Sequence, residues 1–333
     1  MHNFEFIRPA DPAAAINTAA QSRTAQQGAD VRFLGGGTTL LDLVKLNVET
    51  PNRVLDINRL PLDKIEDASD GGLMIGATVR NSDLANHARV LRDYAVLSQA
   101  ILSGASGQIR NMATTAGNLM QRTRCVYFRD TAMPCNKREP GTGCPAITGS
   151  NRTLAILGTS DRCIATNPSD MCVAMAALEA VIHIQGPQGT RTVPFGHFHL
   201  LPGNTPERET VLEPGDLITQ VTLPPPITGS KQIYLKLRDR ASYEFALASA
   251  AVVMAVDGGS VSHIRIALGG VGTKPWRSPE AEAALTGKPA NADSFRQAAE
   301  AALRDARPQS ENEFKIELAK RCLVHALQTA VNG

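Results

Sequence analysis

A chain of 333 residues, 43% hydrophobic and 20% charged, is long enough for more than one hydrophobic core, so two or three domains are expected. Its net charge of +2 comes from interspersed acidic and basic residues, which argues against nucleic-acid binding, and no apolar run approaches the length of a membrane span. The opening MHNFEFIRPADPAAA lacks a basic segment followed by an apolar one, so neither an export address of its own nor membrane insertion is expected.

The segment ADVRFLGGGTTLLDLVKL predicts a strand, a glycine turn and a helix, with Thr38 or Thr39 as cap and Asp42 in the first turn. Gly35, Gly36 and Gly37 have no Cβ, so the backbone can come close to a phosphate beside the unpaired N–H groups of the helix start. The stretch is neither a Walker motif nor a Rossmann turn, and a tight structural turn accounts for it equally well. RVLDINRL and GLMIGATVR read as strands, and NSDLANHARVLRDYAVLSQAILSGA as helix opened by Ser82 and Asp83. SGASGQIRNMATTAGNL again carries small residues that permit close backbone approach to a ligand.

Next comes CVYFRDTAMPCNKREPGTGC, with Cys125, Cys135 and Cys144, followed by Cys163 in the spacing C-x9-C-x8-C-x18-C. This is neither the C-x2-C pairing of a zinc ribbon nor the run of a small ferredoxin. The polar, Gly/Pro-rich composition predicts no apolar core here, so another tie must hold the loop, and four thiolates suit either a cubane cluster or zinc. Cys172 and Cys322, on apolar helical stretches, read instead as small core residues.

RTLAILGT predicts a strand, and Asn167-Pro168-Ser169-Asp170 an ordinary cap for the helix that follows. VIHIQGPQGTRTVPF predicts a hairpin turning at Gly186 to Gly189, and LITQVTLP a strand ending in a proline cluster that marks a boundary near Pro225. Beyond it, KQIYLKLRDR, ASAAVVMAV and SHIRIALGGVG predict strands, followed by helices: a separate α+β domain. Within it, Lys236 to Arg240 read as a solvated strand edge.

Taken in order, GGGTT after a strand, QIRNMATTAGNL, the Ser169-Asp170 helix start, YLKLRDRASYEFALASAAV and IRIALGGVGTKPWR resemble the flavoprotein subunit of the molybdenum hydroxylases, the xanthine dehydrogenase family. The resemblance spans essentially the whole chain, and the cysteine loop is similar to an insertion of the periplasmic aldehyde oxidoreductase subfamily. It implies an α+β (α/β-like) fold: a two-subdomain FAD-binding domain of the PCMH/vanillyl-alcohol-oxidase type over residues 1–225, then a CO dehydrogenase flavoprotein-like domain over 226–333. Within the first, the small subdomain covers about 1–55, the larger 56–225, and the iron–sulfur loop 122–165.

The same resemblance implies FAD contacts at Phe33, Leu34, Gly35, Gly36, Gly37, Thr38, Thr39 and Leu40, with the backbone of the glycines and Thr38 on the pyrophosphate. Ala116, Gly117 and Asn118 would lie against the flavin side, Ser169 and Asp170 against the adenosine part, and Lys236 beside the isoalloxazine ring, where a cation stabilises the reduced flavin. Arg240 is retained but Ala241 replaces a second arginine, which speaks against a nicotinamide surface. For the four cysteines the resemblance implies a [4Fe–4S] cluster, whose charge Lys137, Arg138 and Arg152 could offset. No residue of the chain would act catalytically on aldehyde. The implied partners are a large molybdenum-cofactor subunit, a small subunit with two [2Fe–2S] clusters, and an external electron acceptor. The implied location is the periplasm, by co-export with a signal-bearing partner, with the cytoplasm as alternative. A stand-alone FAD-dependent oxidoreductase and a zinc-stabilised assembly module are the competing readings.

Overall fold

The structure, a computed structural model, describes residues 1–332. Its twelve described strands form three sheets in chain order. β1 (Glu5–Ile7), β2 (Val31–Leu34) and β3 (Arg53–Asp56) make a parallel sheet in the order β1-β3-β2. β4 (Ile65–Asp67), β5 (Leu73–Gly76), β6 (Val181–Gly186), β7 (Gly189–Pro194) and β8 (Leu217–Leu223) make an antiparallel sheet in the order β4-β5-β8-β6-β7. β9 (Lys231–Leu237), β10 (Ala248–Asp257), β11 (Ser260–Gly269) and β12 (Trp276–Arg277) make the third, antiparallel throughout.

The expected hairpin is present: Gly186 pairs with Gly189, and the left-handed φ of 109° at Gly189 is one that a side chain would strain. β10 reads as an unbroken apolar run because both of its faces are buried. Ala248, Ala250, Val252 and Met254 join the core with the helices Ala292–Ala302 and Phe314–Asn332. Ala251 and Val253, on the opposite face, join the larger core, which includes the helices Ala95–Ser103 and Asp170–Ala177. Cys172 and Cys322 lie in these two cores, 0% and 1% exposed, as expected.

Three expectations fail. The helical stretch after Asn81 is three helices, Asn81–Asn86, Ala88–Asp93 and Ala95–Ser103, interrupted at His87 (ψ 128°) and Tyr94 (φ −134°). The break at Tyr94 lets its ring bury while its hydroxyl donates to the Pro224 carbonyl at 2.7 Å, and neither Ser82 nor Asp83 is the N-cap, which is Arg80. RTLAILGT is no strand: Leu157 makes one isolated bridge to Gly272, and Ile156 and Leu157 pack into the C-terminal core, so apolarity here marks a crossing of the chain between cores. The cysteine loop, finally, does have an apolar core. Phe128 is fully buried with Leu43, Val48, Leu154 and Ile164, residues too far apart in sequence to leave a periodic signal.

Candidate functional site

A cavity of about 220 Å³ opens between the first sheet and the second, walled by Phe33, residues 35–40, Ala116 and Gly117. Local sterics explain the glycines. A Cβ on Gly36 would collide with the Met112 carbonyl, and one on Gly35 would lie 2.6 Å from Thr114 Oγ1, so the turn is pressed against the segment that carries Ala116 and Gly117. Gly37 has a φ of 72°, where side chains are strained. The N–H groups of Gly36, Gly37, Thr38 and Thr39 donate to no other group among the described residues. Four free donors on a concave wall are what a diphosphate requires. The expected threonine cap is absent: Thr39 precedes the helix Leu40–Lys45 without a side-chain bond, and Asp42 instead receives Arg124 and Arg129 at 2.8 Å each.

Leu34, Asn118, Ser169, Asp170 and Lys236 do not line this cavity. Leu34 packs over Gly37, and the other four are linked to one another by hydrogen bonds and by the Ser169–Asp170 peptide bond, outside the cavity lining. Ser169 caps the helix Asp170–Ala177 by accepting from the Cys172 N–H, while its hydroxyl donates to Asn118 Oδ1 at 2.5 Å. The Asp170 carboxylate accepts from Lys236 Nζ at 2.8 Å and from the Tyr234 hydroxyl at 2.6 Å. Lys236 Nζ also donates to the Ser103 carbonyl at 3.1 Å, and its side chain is 3% exposed, so the solvated edge expected at this position is corrected to a buried ion pair. Burial, with Asp170 alongside, raises the Tyr234 phenol well above its ordinary pKa and keeps it a donor.

One side of the cavity carries a partly buried charge network that sequence reading missed apart from Lys137. Glu49 meets Arg32 at 2.9 Å and Arg122 at 2.5 Å, and Glu209 meets Lys137 at 2.9 Å and Arg122. Burial by itself would raise the Glu209 carboxyl, but Arg122 and Lys137 outweigh it and bring its pKa to about 2. Residues scattered from 32 to 209 leave no motif, and each taken singly reads as a surface charge.

Cys125, Cys135, Cys144 and Cys163 line a second, smaller cavity, and all but Cys144 are buried. Burial raises the pKa values of Cys125, to about 11, of Cys144 and of Cys163, where the Lys137 charge partly opposes the rise. Among the described residues no three Cys, His, Asp or Glu side chains gather closely enough to hold a metal ion, so the thiols share a cavity without closing on a common centre. Lys137, Cys163 and Ala165 line both cavities.

Residues 2–226 match the family described as the FAD binding domain in molybdopterin dehydrogenase, and residues 233–330 match the CO dehydrogenase flavoprotein C-terminal domain. The aldehyde oxidoreductase FAD-binding subunit PaoB of Escherichia coli (strain K12) is 54% identical over 95% of this chain and 96% of its own length. The carbon monoxide dehydrogenase medium chain of Hydrogenophaga pseudoflava is 28% identical over 92% of this chain and 91% of its own. A solved structure of carbon monoxide dehydrogenase from the same organism superposes with a TM-score of 0.77, covering 99% of this chain and 98% of that one, so the expected α+β fold is the one found.

Proposed function

Since the chain belongs to the family of FAD-binding subunits of molybdopterin dehydrogenases, we propose that it is the FAD-carrying subunit of a molybdenum-dependent aldehyde oxidoreductase, passing electrons from partner [2Fe–2S] clusters through FAD to an external acceptor. The observation that carries the reading is the cavity wall at residues 36–39, where four backbone donors are free. In this proposal those N–H groups hold the FAD diphosphate, Phe33, Leu40, Ala116 and Gly117 shape the rest of the wall, and the bound flavin supplies the redox chemistry. Asn118, Ser169 and Asp170 support the wall from outside the cavity lining. Lys236 holds the Asp170 carboxylate in place, a role its buried pairing favours over direct contact with the ring.

The reading extends to a large molybdenum-cofactor subunit and a small iron–sulfur subunit as partners, a domain boundary near Pro225, and the periplasm as location, with the cytoplasm as alternative. The isolated chain should retain FAD yet fail to reduce a dye with aldehyde, and turnover should appear when the partners are added. Aldehyde-dependent dye reduction by this chain alone would replace the proposal with a self-sufficient flavoenzyme.

For the cysteine cavity we propose a [4Fe–4S] cluster on Cys125, Cys135, Cys144 and Cys163. Four thiols around one cavity are the donor set such a cluster takes, and because Lys137, Cys163 and Ala165 line both cavities, a cluster held there would lie beside a flavin in the larger one. Serine at any of the four should sharply reduce iron and acid-labile sulfide per flavin, whereas serine at Cys172 or Cys322 should leave both unchanged. Full iron in one of the first four variants removes that residue from the ligand set, and zinc in place of iron in the wild type removes the cluster.

A further inference from the structure

Two residues that line the larger cavity, His199 and Arg122, each keep one buried side-chain nitrogen without a hydrogen-bond partner among the described residues. His199 is 7% exposed, its ring edge-on to Phe198 with centroids 4.9 Å apart and tilted against Phe195 at 5.7 Å. Its Nε2 lies 3.0 Å from the Leu119 carbonyl, which can only accept, so the proton sits on Nε2 and the lone pair of Nδ1 has nothing to receive. Burial, opposed in part by that carbonyl, lowers the imidazole pKa to about 4 and keeps the ring neutral near pH 7. Arg122 uses Nε on Glu209 and Nη1 on Gln27 and Glu49, which leaves Nη2. Backbone pairing ties the two together: His199 bridges to Thr210, and the Leu200 N–H donates at 2.9 Å to the carbonyl of Glu209, the residue that receives Arg122. One spare acceptor and one spare donor thus belong to the same side of the cavity.

We propose that His199 and Arg122 together recognise one heterocyclic edge of the bound dinucleotide, an edge that carries an N–H donor beside a ring-nitrogen or carbonyl acceptor. The inference rests on the FAD reading above. FAD offers two such edges, the amino group and N1 of adenine and the N3–H and flanking carbonyls of the flavin pyrimidine ring. Leaving a buried polar atom unpaired costs more than a hydrogen bond contributes net, so a ring that satisfies both nitrogens is favoured over one that lacks the donor. His199 and Arg122 are then specificity residues for the cofactor, and neither acts on aldehyde.

The test measures, by flavin fluorescence, the affinity of the full chain stripped of flavin for FAD and two analogues: one with purine in place of adenine, which lacks the amino donor, and one methylated at flavin N3. The wild type should bind one of the two about tenfold more weakly than FAD, and that analogue identifies the edge. His199→Phe keeps an aromatic ring against Phe195 and Phe198 but removes the acceptor, so it should weaken FAD about tenfold and abolish the discrimination. If His199→Phe does not fold, Arg122→Lys carries the test: ADP or FMN, whichever holds the identified edge, should bind about tenfold more weakly, with the other unchanged. Equal affinity of the wild type for all three dinucleotides, discrimination that survives in His199→Phe, or an Arg122→Lys loss shared by ADP and FMN overturns this inference and leaves the FAD reading standing. A wild-type chain that binds no FAD overturns both.

Discussion

Valine at Gly36 should empty the larger cavity of FAD and cost roughly 2–4 kcal/mol of stability, since overpacking at a point where backbone presses on backbone cannot be relieved by a rotamer change. The atoms in the way are the Met112 carbonyl and Ala113 Cα, which belong to the chain itself and not to a ligand. The variant should therefore melt lower even without FAD, because the turn is displaced from the Ala116–Gly117 segment. Gly28 provides the control: its φ is 77° but nothing lies within 4 Å of a built Cβ, so alanine there should cost only about 1–2 kcal/mol of backbone strain and leave flavin content intact. Flavin absorbance per chain and the melting temperatures of the apo and loaded forms decide the matter. A Gly36→Val protein with stoichiometric FAD would show that the turn does not form the binding wall.

Replacement of Lys315 by methionine should cost about 2 kcal/mol at pH 7 and, more tellingly, remove a pH dependence. Lys315 is 0% exposed, and its ammonium donates to the carbonyls of Thr153 (3.1 Å), Leu154 (2.9 Å) and Gly270 (2.5 Å). It thus ties the end of the cysteine loop and the turn after β11 to the last helix. Burial, with a smaller contribution from the Arg152 charge, brings its pKa down to about 7. Between that value and the ordinary lysine value near 10.5, the unfolded chain binds more protons than the folded one, so stability rises with pH across this window. Below about pH 7 both states are protonated and the cost of burying the charge is constant. Urea midpoints of the wild type should climb from pH 7 to pH 9 more steeply than those of Lys315→Met, and parallel profiles would show that the lysine titrates normally.

Several features were legible in the sequence because local chemistry determines them. The turn between Gly186 and Gly189 and the Ser169 cap each need only a few adjacent residues, and each occurs where the sequence indicates. The assignment of Cys172 and Cys322 to cores is likewise local: Cys172 lies in a helix that is apolar and buried all round, and Cys322 lies on the apolar face that helical spacing marks. The break at Tyr94 was not legible, because it depends on a carbonyl 130 residues away. Nor was the burial of Ile156 and Leu157 in the C-terminal core, because a short apolar run does not say which core it enters.

By itself, then, the sequence determined the type of most elements, though not of the RTLAILGT stretch, together with the glycine turn and the set of four cysteines apart from the two in the cores. Tertiary structure alone decided why Gly36 must be glycine, since the obstructing carbonyl arrives from Met112. It also turned Lys236 from an exposed edge residue into half of a buried pair with Asp170, and gathered Arg32, Glu49, Arg122, Lys137 and Glu209 beside the larger cavity. The physical reason is common to these cases. A charge or a missing Cβ acquires its meaning from the atoms brought against it, and those atoms come from distant parts of the chain whose approach follows from burial of the cores, not from any spacing along the sequence.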